Sequence, residues 1–462
     1  MKELILFLIS IALYFGAPDN YNWLFCAVCT AVFTVGAIFS LKQSVGKKQF
    51  LSFNIFFLFS YFWTSFAYPL IIYGTFRDRA NIINKYINWE NLSHTSALAL
   101  VFICAYFLGY VNKWGNNVYT SNSRFGSALL KVPNGLFIFI STMYVGNVLF
   151  SFFSSGKVNL STGKFLTDIF FTLFIFVTYA NVNNHHNDKR SLKTFLIINK
   201  LPISFASFVF LFSIIIGDRG PAIKIVLVLF SVYYLFWNKV KLTKITLLSL
   251  LFLCLLFFVR QTRAGEGSLA SGNISSSQIE NTFKMENGSL YMFADLFYIS
   301  RELNLGYEYA QKRELFHPEK ILLVPLHPIP ILPSAVSQLF FGKTLAQMDT
   351  GAELNSSVWN SYDVETHFGN HPAGDLLMSF GLIGLIIISY LFGEIVSFFE
   401  RSKYGNLYTA CGWITLMSWS LYLSRASILS IVRPLGYVYI LGFLVFGVST
   451  KISKFRIKME KY

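Results

Sequence analysis

Long, unbroken runs of apolar residues recur along this chain of 462 residues and leave few folds open to it. A helix that crosses a bilayer needs roughly 20 apolar residues, because lipid cannot satisfy its backbone polar groups. We read about 12 spans of this kind by hydropathy. They are approximately Leu4–Ala17, Tyr21–Leu41, Phe50–Tyr73, Ser96–Val111, Val132–Phe153, Phe165–Asn181, Ile203–Ile216, Ala222–Trp237, Ile245–Val259, Asp375–Phe398, Leu407–Leu423 and Leu435–Val448. The runs are continuous rather than alternating, which excludes a β-barrel. With 54% of residues hydrophobic and only 13% charged, a soluble domain of this size cannot hide so much apolar surface. The expected class is an all-α polytopic membrane protein.

The net charge of +15 would suggest nucleic acid in a soluble chain. In a membrane protein the positive-inside bias accounts for it, so no nucleic-acid partner is expected. If the N-terminus is cytoplasmic, the inner segments include "KQSVGKK", "HHNDKRSLK", "NKVKLTK" and the tail "KISKFRIKMEKY", where Lys and Arg outnumber those of the opposite loops. The five cysteines all lie in apolar runs, without a disulfide framework or zinc spacing, and no metal or other cofactor is expected. The first run lacks a clear cleavage site and reads as an uncleaved helix.

This orientation divides the chain into spans over residues 1–259, a large extracytoplasmic loop over 260–374, further spans over 375–450 and a basic cytoplasmic tail over 451–462. The loop opens on the Gly/Ser-rich "TRAGEGSLASGNISSSQ". In "SLYMFADLFYISRELNLG", apolar residues at helical spacing predict an amphipathic helix closed by Gly306, at or near the membrane interface. "HPEKILLVPLHPIPILP" is too rich in proline for a helix and reads as an extended apolar segment.

Ionisable groups gather at the outer ends of the spans. In "IIIGDRGPAIK", Pro221 suits a first helical turn, which puts Arg219 at a helix N-terminus, where backbone N–H groups favour anions. Lys224 lies one turn on; the plainer alternative is that Asp218 pairs Arg219 and Lys224 snorkels. "SRASILSIVRPLG" sets Arg425 and Arg433 on the face where the charge bias disfavours them, and Arg suits bidentate phosphate contacts; the plainer alternative is two interfacial anchors. Arg260 and Arg263 stand where the ninth span leaves the membrane, as diphosphate ligands or headgroup anchors. In "GNHPAGDLLMSFGLIG", His371 heads an apolar helix, and a neutral imidazole there can act as general base on a hydroxyl. Glu365, His367 and Asp375 are secondary candidates close to it in sequence. Several Arg and one His on one face suit a substrate with an anionic head and a lipid tail. A proton-coupled transporter would instead show acids at mid-membrane, and few are present.

The loop histidine, the following "FGLIGL" helix and the earlier "GDRG" turn resemble bacterial O-antigen and capsular repeat-unit polymerases and, more distantly, O-antigen ligases. Pro372 stands where the ligases commonly carry Asn, and their Ser-Arg-Gly turn corresponds to Asp218-Arg219-Gly220. Arg425 to Gly436 fits the arginine-to-glycine spacing described for the polymerases. The resemblance implies a GT-C-like inverting glycosyltransferase in the bacterial plasma (inner) membrane. It would join undecaprenyl-diphosphate-linked oligosaccharide repeats on the outer face into O-antigen, capsular or exopolysaccharide, with a chain-length regulator as a further partner. His371 would activate or orient the acceptor hydroxyl, and Arg219 with Arg425 or Arg433 would stabilise the departing diphosphate. Gly381 and Gly384 would admit a neighbouring helix or lipid chain. The alternatives are a ligase moving finished glycan to a lipid acceptor, and a lipid-linked oligosaccharide flippase or transporter.

Overall fold

The structure, a computed structural model, describes residues 2–45, 51–72, 88–111, 130, 134–155, 164–185, 191–216, 219–237, 294–312, 316–329, 331–348 and 370–447. Every regular element among them is a helix. In chain order these are α1 (Lys2–Phe15), α2 (Trp23–Val45), α3 (Phe53–Ser65), α4 (Leu92–Val111), α5 (Asn134–Ser155), α6 (Lys164–Asn184), α7 (Leu192–Ile198), α8 (Lys200–Ile216) and α9 (Arg219–Trp237). They continue as α10 (Ala294–Lys312), α11 (Lys320–Leu323), α12 (Leu332–Phe341), α13 (Leu345–Met348), α14 (Pro372–Ser402), α15 (Leu407–Trp419) and α16 (Val432–Gly442).

The expected all-α class holds, but the expectation of about 12 spans in a GT-C-like architecture does not. Among the described residues only 5 helices are long and apolar enough to cross a membrane, or 6 if one bent pair counts as a single span. Hydropathy registers an apolar run without registering where its helix stops. The run from Phe50 ends its α-helix at Ser65 and widens into a π-helical turn over Tyr68–Ile72, where the chain meets Pro69. A helix such as α3 reaches about 20 Å, short of the roughly 30 Å hydrocarbon layer. The α1 and α15 helices are short in the same way, and α7 turns through 89° into α8. The run Ile245–Val259 lies outside the described residues. What stands is a multi-pass helical membrane protein.

The chain divides into two compact units. The first comprises Met1–Val118, Ser289–Arg401 and Trp419–Val432. Its centre is α4, buried along nearly its whole length. Tyr61 stacks on Phe102 with ring centroids 5.3 Å apart and donates its hydroxyl to the Ala99 carbonyl at 2.9 Å. The α4 and α14 helices cross at two glycines. A Cβ on Gly109 would lie 1.9 Å from the Tyr390 carbonyl oxygen, and one on Gly393 2.2 Å from that of Tyr106. The close approach expected at Gly381 and Gly384 is therefore made instead at Gly393. Gly381 is a break, with φ 68°, and meets only Phe316; a Cβ on Gly384 would strike Phe380 of its own helix. The first N–H of α3 is satisfied by Glu400, whose Oε1 accepts from the Phe53 amide at 2.6 Å.

The amphipathic helix expected in the loop exists as α10, but Gly306 does not close it. Gly306 faces Gly374, where a Cβ would come within 2.9 Å of the Gly374 Cα. Ser300, Arg301, Glu302 and Asn304 of α10 are all buried, so this helix is packed into the unit rather than laid on an interface. The proline-rich segment is also not extended: it forms α11, a 3₁₀ turn at Val324–Leu326 and then α12, with Pro333 in the first turn of α12.

The second unit comprises Tyr119–Gly288, Ser402–Ser418 and Arg433–Tyr462. Aromatic stacking holds it, as in Tyr144 on Phe170 at 4.7 Å. A fully buried Lys403 lies 4.6 Å over the Trp413 ring.

Candidate functional site

Asn370 and His371 lead into α14, and Pro372 opens the helix at the position where its missing N–H costs nothing. His371 is fully buried. Its Nδ1 accepts the Ala373 amide N–H at 3.2 Å, so the ring itself caps the helix. An amide can only donate, so Nδ1 carries no proton. The neutral ring then holds its proton on Nε2, which donates to Ser65 Oγ at 2.9 Å. Ser65 is the last residue of α3, and Tyr61, one turn back, sets its ring 5.6 Å from the imidazole. The neighbouring Thr64 carbonyl accepts from Ser300 Oγ at 2.7 Å, which ties α10 to the same corner.

Two further segments converge on the head of α14. The Asn370 amide donates to the Arg425 carbonyl at 3.3 Å, and Ser424 Oγ lies 2.5 Å from Ser60 Oγ, which fixes the 3₁₀ turn Leu423–Arg425 against α3. Asp375 is fully buried, its amide bonded to the His371 carbonyl at 2.9 Å and its Oδ1 3.5 Å from the largely buried Lys320 Nζ. The loop is also pinned to the break at Gly381: the His317 amide donates to the Ser379 carbonyl at 3.1 Å.

The first unit thus gathers His371, Asp375 and Arg425 of the sequence candidates. Arg219 and Lys224 belong to the second unit. Arg219 does open α9, as Pro221 predicted, but its side chain lies outside the described residues. Lys224 Nζ sits 5.7 Å over the Phe171 ring. Arg433 is committed to Asp168, with Nη2 and Nε at 2.6 and 2.7 Å from Oδ2. Arg260, Arg263, Glu365 and His367 lie outside the described residues. Sequence reading missed Ser65, Asn370 and Lys320. Ser65 left only the faint signal of a "TS" step in an aromatic run, and Lys320 that of a cation in a proline-rich apolar stretch. Among the described residues, no group of three His, Cys, Asp or Glu side chains is placed to hold a metal ion.

A family model described as O-antigen polysaccharide polymerase Wzy matches residues 2–455. The chain belongs to that family. No curated protein and no solved structure is similar enough to this chain to count as a match. The resemblance seen in the loop histidine and glycine step is borne out at the level of the family, and the chain is a membrane enzyme that polymerises lipid-linked repeat units into surface polysaccharide.

Burial pushes His371 of this Wzy-family polymerase down from the ordinary 6.5 to about 3. The folded state therefore favours the neutral ring. The resulting stabilisation is complete above pH 6.5 and is lost as pH falls toward 3, because the unfolded histidine takes up a proton that the folded one refuses. Over this window the unfolding free energy of the wild-type polymerase should fall more steeply than that of His371→Gln. The difference should reach one proton's worth, about 1.4 kcal/mol per pH unit. Denaturant unfolding in detergent at several pH values measures it; equal slopes would show that the ring titrates alike in both states.

Proposed function

We propose that the polymerase joins undecaprenyl-diphosphate-linked repeats at the head of α14, on the extracytoplasmic face of the bacterial plasma membrane, with a chain-length regulator as a further partner. The observation that carries this reading is the buried His371–Ser65 pair, with the Arg425 turn tied to it through Asn370. Loop charge supports the choice of face. The acceptor hydroxyl attacks the anomeric carbon of the growing chain, the glycosyl C–O bond to the diphosphate breaks, and undecaprenyl diphosphate leaves with the bonding pair. The carbon inverts.

The hydrogen bonds favour an orienting His371 over a basic one. With Nδ1 taken by an amide and the proton on Nε2, the ring holds Ser65 in place and keeps the first turn of α14 aligned. Asp375, one turn further on, is the carboxylate that takes the hydroxyl proton. Arg425 binds the departing diphosphate; Arg219, the other expected ligand, belongs to the second unit. Arg433 is left out, since Asp168 occupies its guanidinium.

Polymer formation from purified lipid-linked repeats tests the assignment. Arg425→Ala should lower the rate about 100-fold, the roughly 3 kcal/mol of one strong electrostatic contact. Arg425→Lys should recover part of it, because a point charge replaces charge but not the bidentate fork. Asp168→Asn, which releases Arg433, should leave the chemical step unchanged. Full activity in Arg425→Ala would remove the diphosphate from this corner.

A further inference from the structure

The segment from Phe316 to Lys343 is built inside out. Its short helix α12 buries Pro333 and Ser337 and exposes Leu339 by 80% and Phe340 by 76%. Ser337 is used inward, its hydroxyl donating to the Lys343 carbonyl at 2.5 Å. Ile331, just before the helix, is 81% exposed and holds φ 69°, a backbone that a β-branched residue rarely adopts. Phe316, Leu322 and Ile329 are exposed as well.

The charges of the segment are turned the other way. Glu319, Lys320 and Lys343 are its three charged residues. Lys343 Nζ meets Glu319 Oε1 at 3.1 Å, and Lys320 Nζ meets Asp375 Oδ1 of α14 at 3.5 Å. His317 Nδ1 closes on the same Glu319 oxygen at 3.4 Å. Each ion thus meets an opposite one, while bulky hydrocarbon faces out. Water selects the reverse pattern; a low-dielectric surround selects this one, since an unpaired charge there is costly and exposed hydrocarbon is not.

The patch is also continuous with an exposed apolar stripe on α14, a helix long and apolar enough to cross a membrane. Phe316 lies 3.8 Å from the Cβ position of Gly381. From that break, α14 exposes Ile383, Ile387, Leu391 and Ile395, one residue per turn along the length of a membrane span.

We infer that the hairpin from Phe316 to Lys343 is embedded in the bilayer interface, with Leu322, Ile331, Leu339 and Phe340 in contact with lipid acyl chains. It is an interfacial anchor attached to the head of α14, and it brings the bilayer surface to the side of the helix that carries His371 and Asp375. The occupant is the bilayer itself, because the exposed apolar face runs on into the lipid-facing stripe of α14.

Nitroxide labels on the full-length polymerase in phosphatidylcholine–phosphatidylglycerol nanodiscs test this. Single cysteines replace Leu322, Ile331, Leu339 and Phe340, with Gln311→Cys as the water-exposed reference. At these exposed positions a cysteine removes little packing. The four labels should collide with oxygen in preference to an aqueous nickel chelate, at depths of about 5–10 Å below the headgroup boundary, while Gln311 reads as aqueous. Preferential collision with the nickel chelate at the four sites would overturn the inference, because the face would then lie in water. Protection from both reagents would overturn it in favour of cover by another part of the chain. Spin–spin broadening between labelled copies would overturn it in favour of a second polymerase molecule.

Discussion

Replacing His371 by alanine should stop polymer formation while the protein still inserts and still retains lipid-linked donor. The ring caps α14 through Nδ1 and holds Ser65 through Nε2, so its loss releases both the first turn of the helix and the end of α3. A misplacement of about 1 Å at a reacting centre can cost roughly 100-fold in rate, and loss of a general base about 10²–10⁴-fold. His371→Ala alone therefore does not separate the two roles. Ser65→Ala does: if His371 orients through Ser65, this variant should fall by a similar factor. His371→Gln should keep part of the activity, because its carboxamide can donate to Ser65. A basic His371 would leave Ser65→Ala near wild type and His371→Gln inactive. His327→Ala, a His-Pro position without the glycine step, serves as the control. Single-turnover formation of the glycosidic bond, measured beside donor binding, reads all of these.

The largest effect on folding should come from the glycine crossing. In Gly393→Val the Cβ would meet the backbone of Tyr106 and Tyr110, which no rotamer change can move aside. The helices must separate along their contact, and overpacking of this kind costs about 1–3 kcal/mol or more. Gly393→Val should lose most folded protein on extraction into mild detergent, and Gly109→Val should do the same. Gly146→Ala is the contrasting case. Nothing lies within 4 Å of its Cβ position, and it sits inside α5, so alanine should be neutral or add up to about 1 kcal/mol of helix stability. Thermal melts of the three variants give the order; equal melting of Gly393→Val and wild type would mean that α4 and α14 do not cross at this distance.

The helical class was legible because apolar runs of this length have few other fates. The span count was not legible, because hydropathy carries no term for a π turn at Pro69 or for the bend between α7 and α8. The position of His371 at the head of α14 could be read from the following proline and the apolar helix. Its environment could not, because Ser65 lies far away in sequence and nothing near residue 371 points to it. Arg433 and Arg425 are alike in the sequence; the difference between them is Asp168, which lies 265 residues from Arg433 in the chain and which nothing near Arg433 points to. The glycines show the same limit. "FGLIGL" drew attention to Gly381 and Gly384, whereas the tight crossing uses Gly393 and Gly109, which lie in separate spans and carry no local pattern.

The break at Gly381 has a mechanical consequence. Beyond it α14 continues as a membrane shaft; before it the first turns of the helix hang on the Phe316–Lys343 hairpin, through the His317 amide, Phe316 and the Lys320–Asp375 pair. The turns that carry His371 are thus held from the side, at Asp375, Ser379 and Gly381, while the ring itself is fixed by the Ala373 amide and Ser65. If that hairpin lies in the bilayer interface as inferred, a change in lipid thickness or lateral tension that shifts it would reach these turns without bending the shaft.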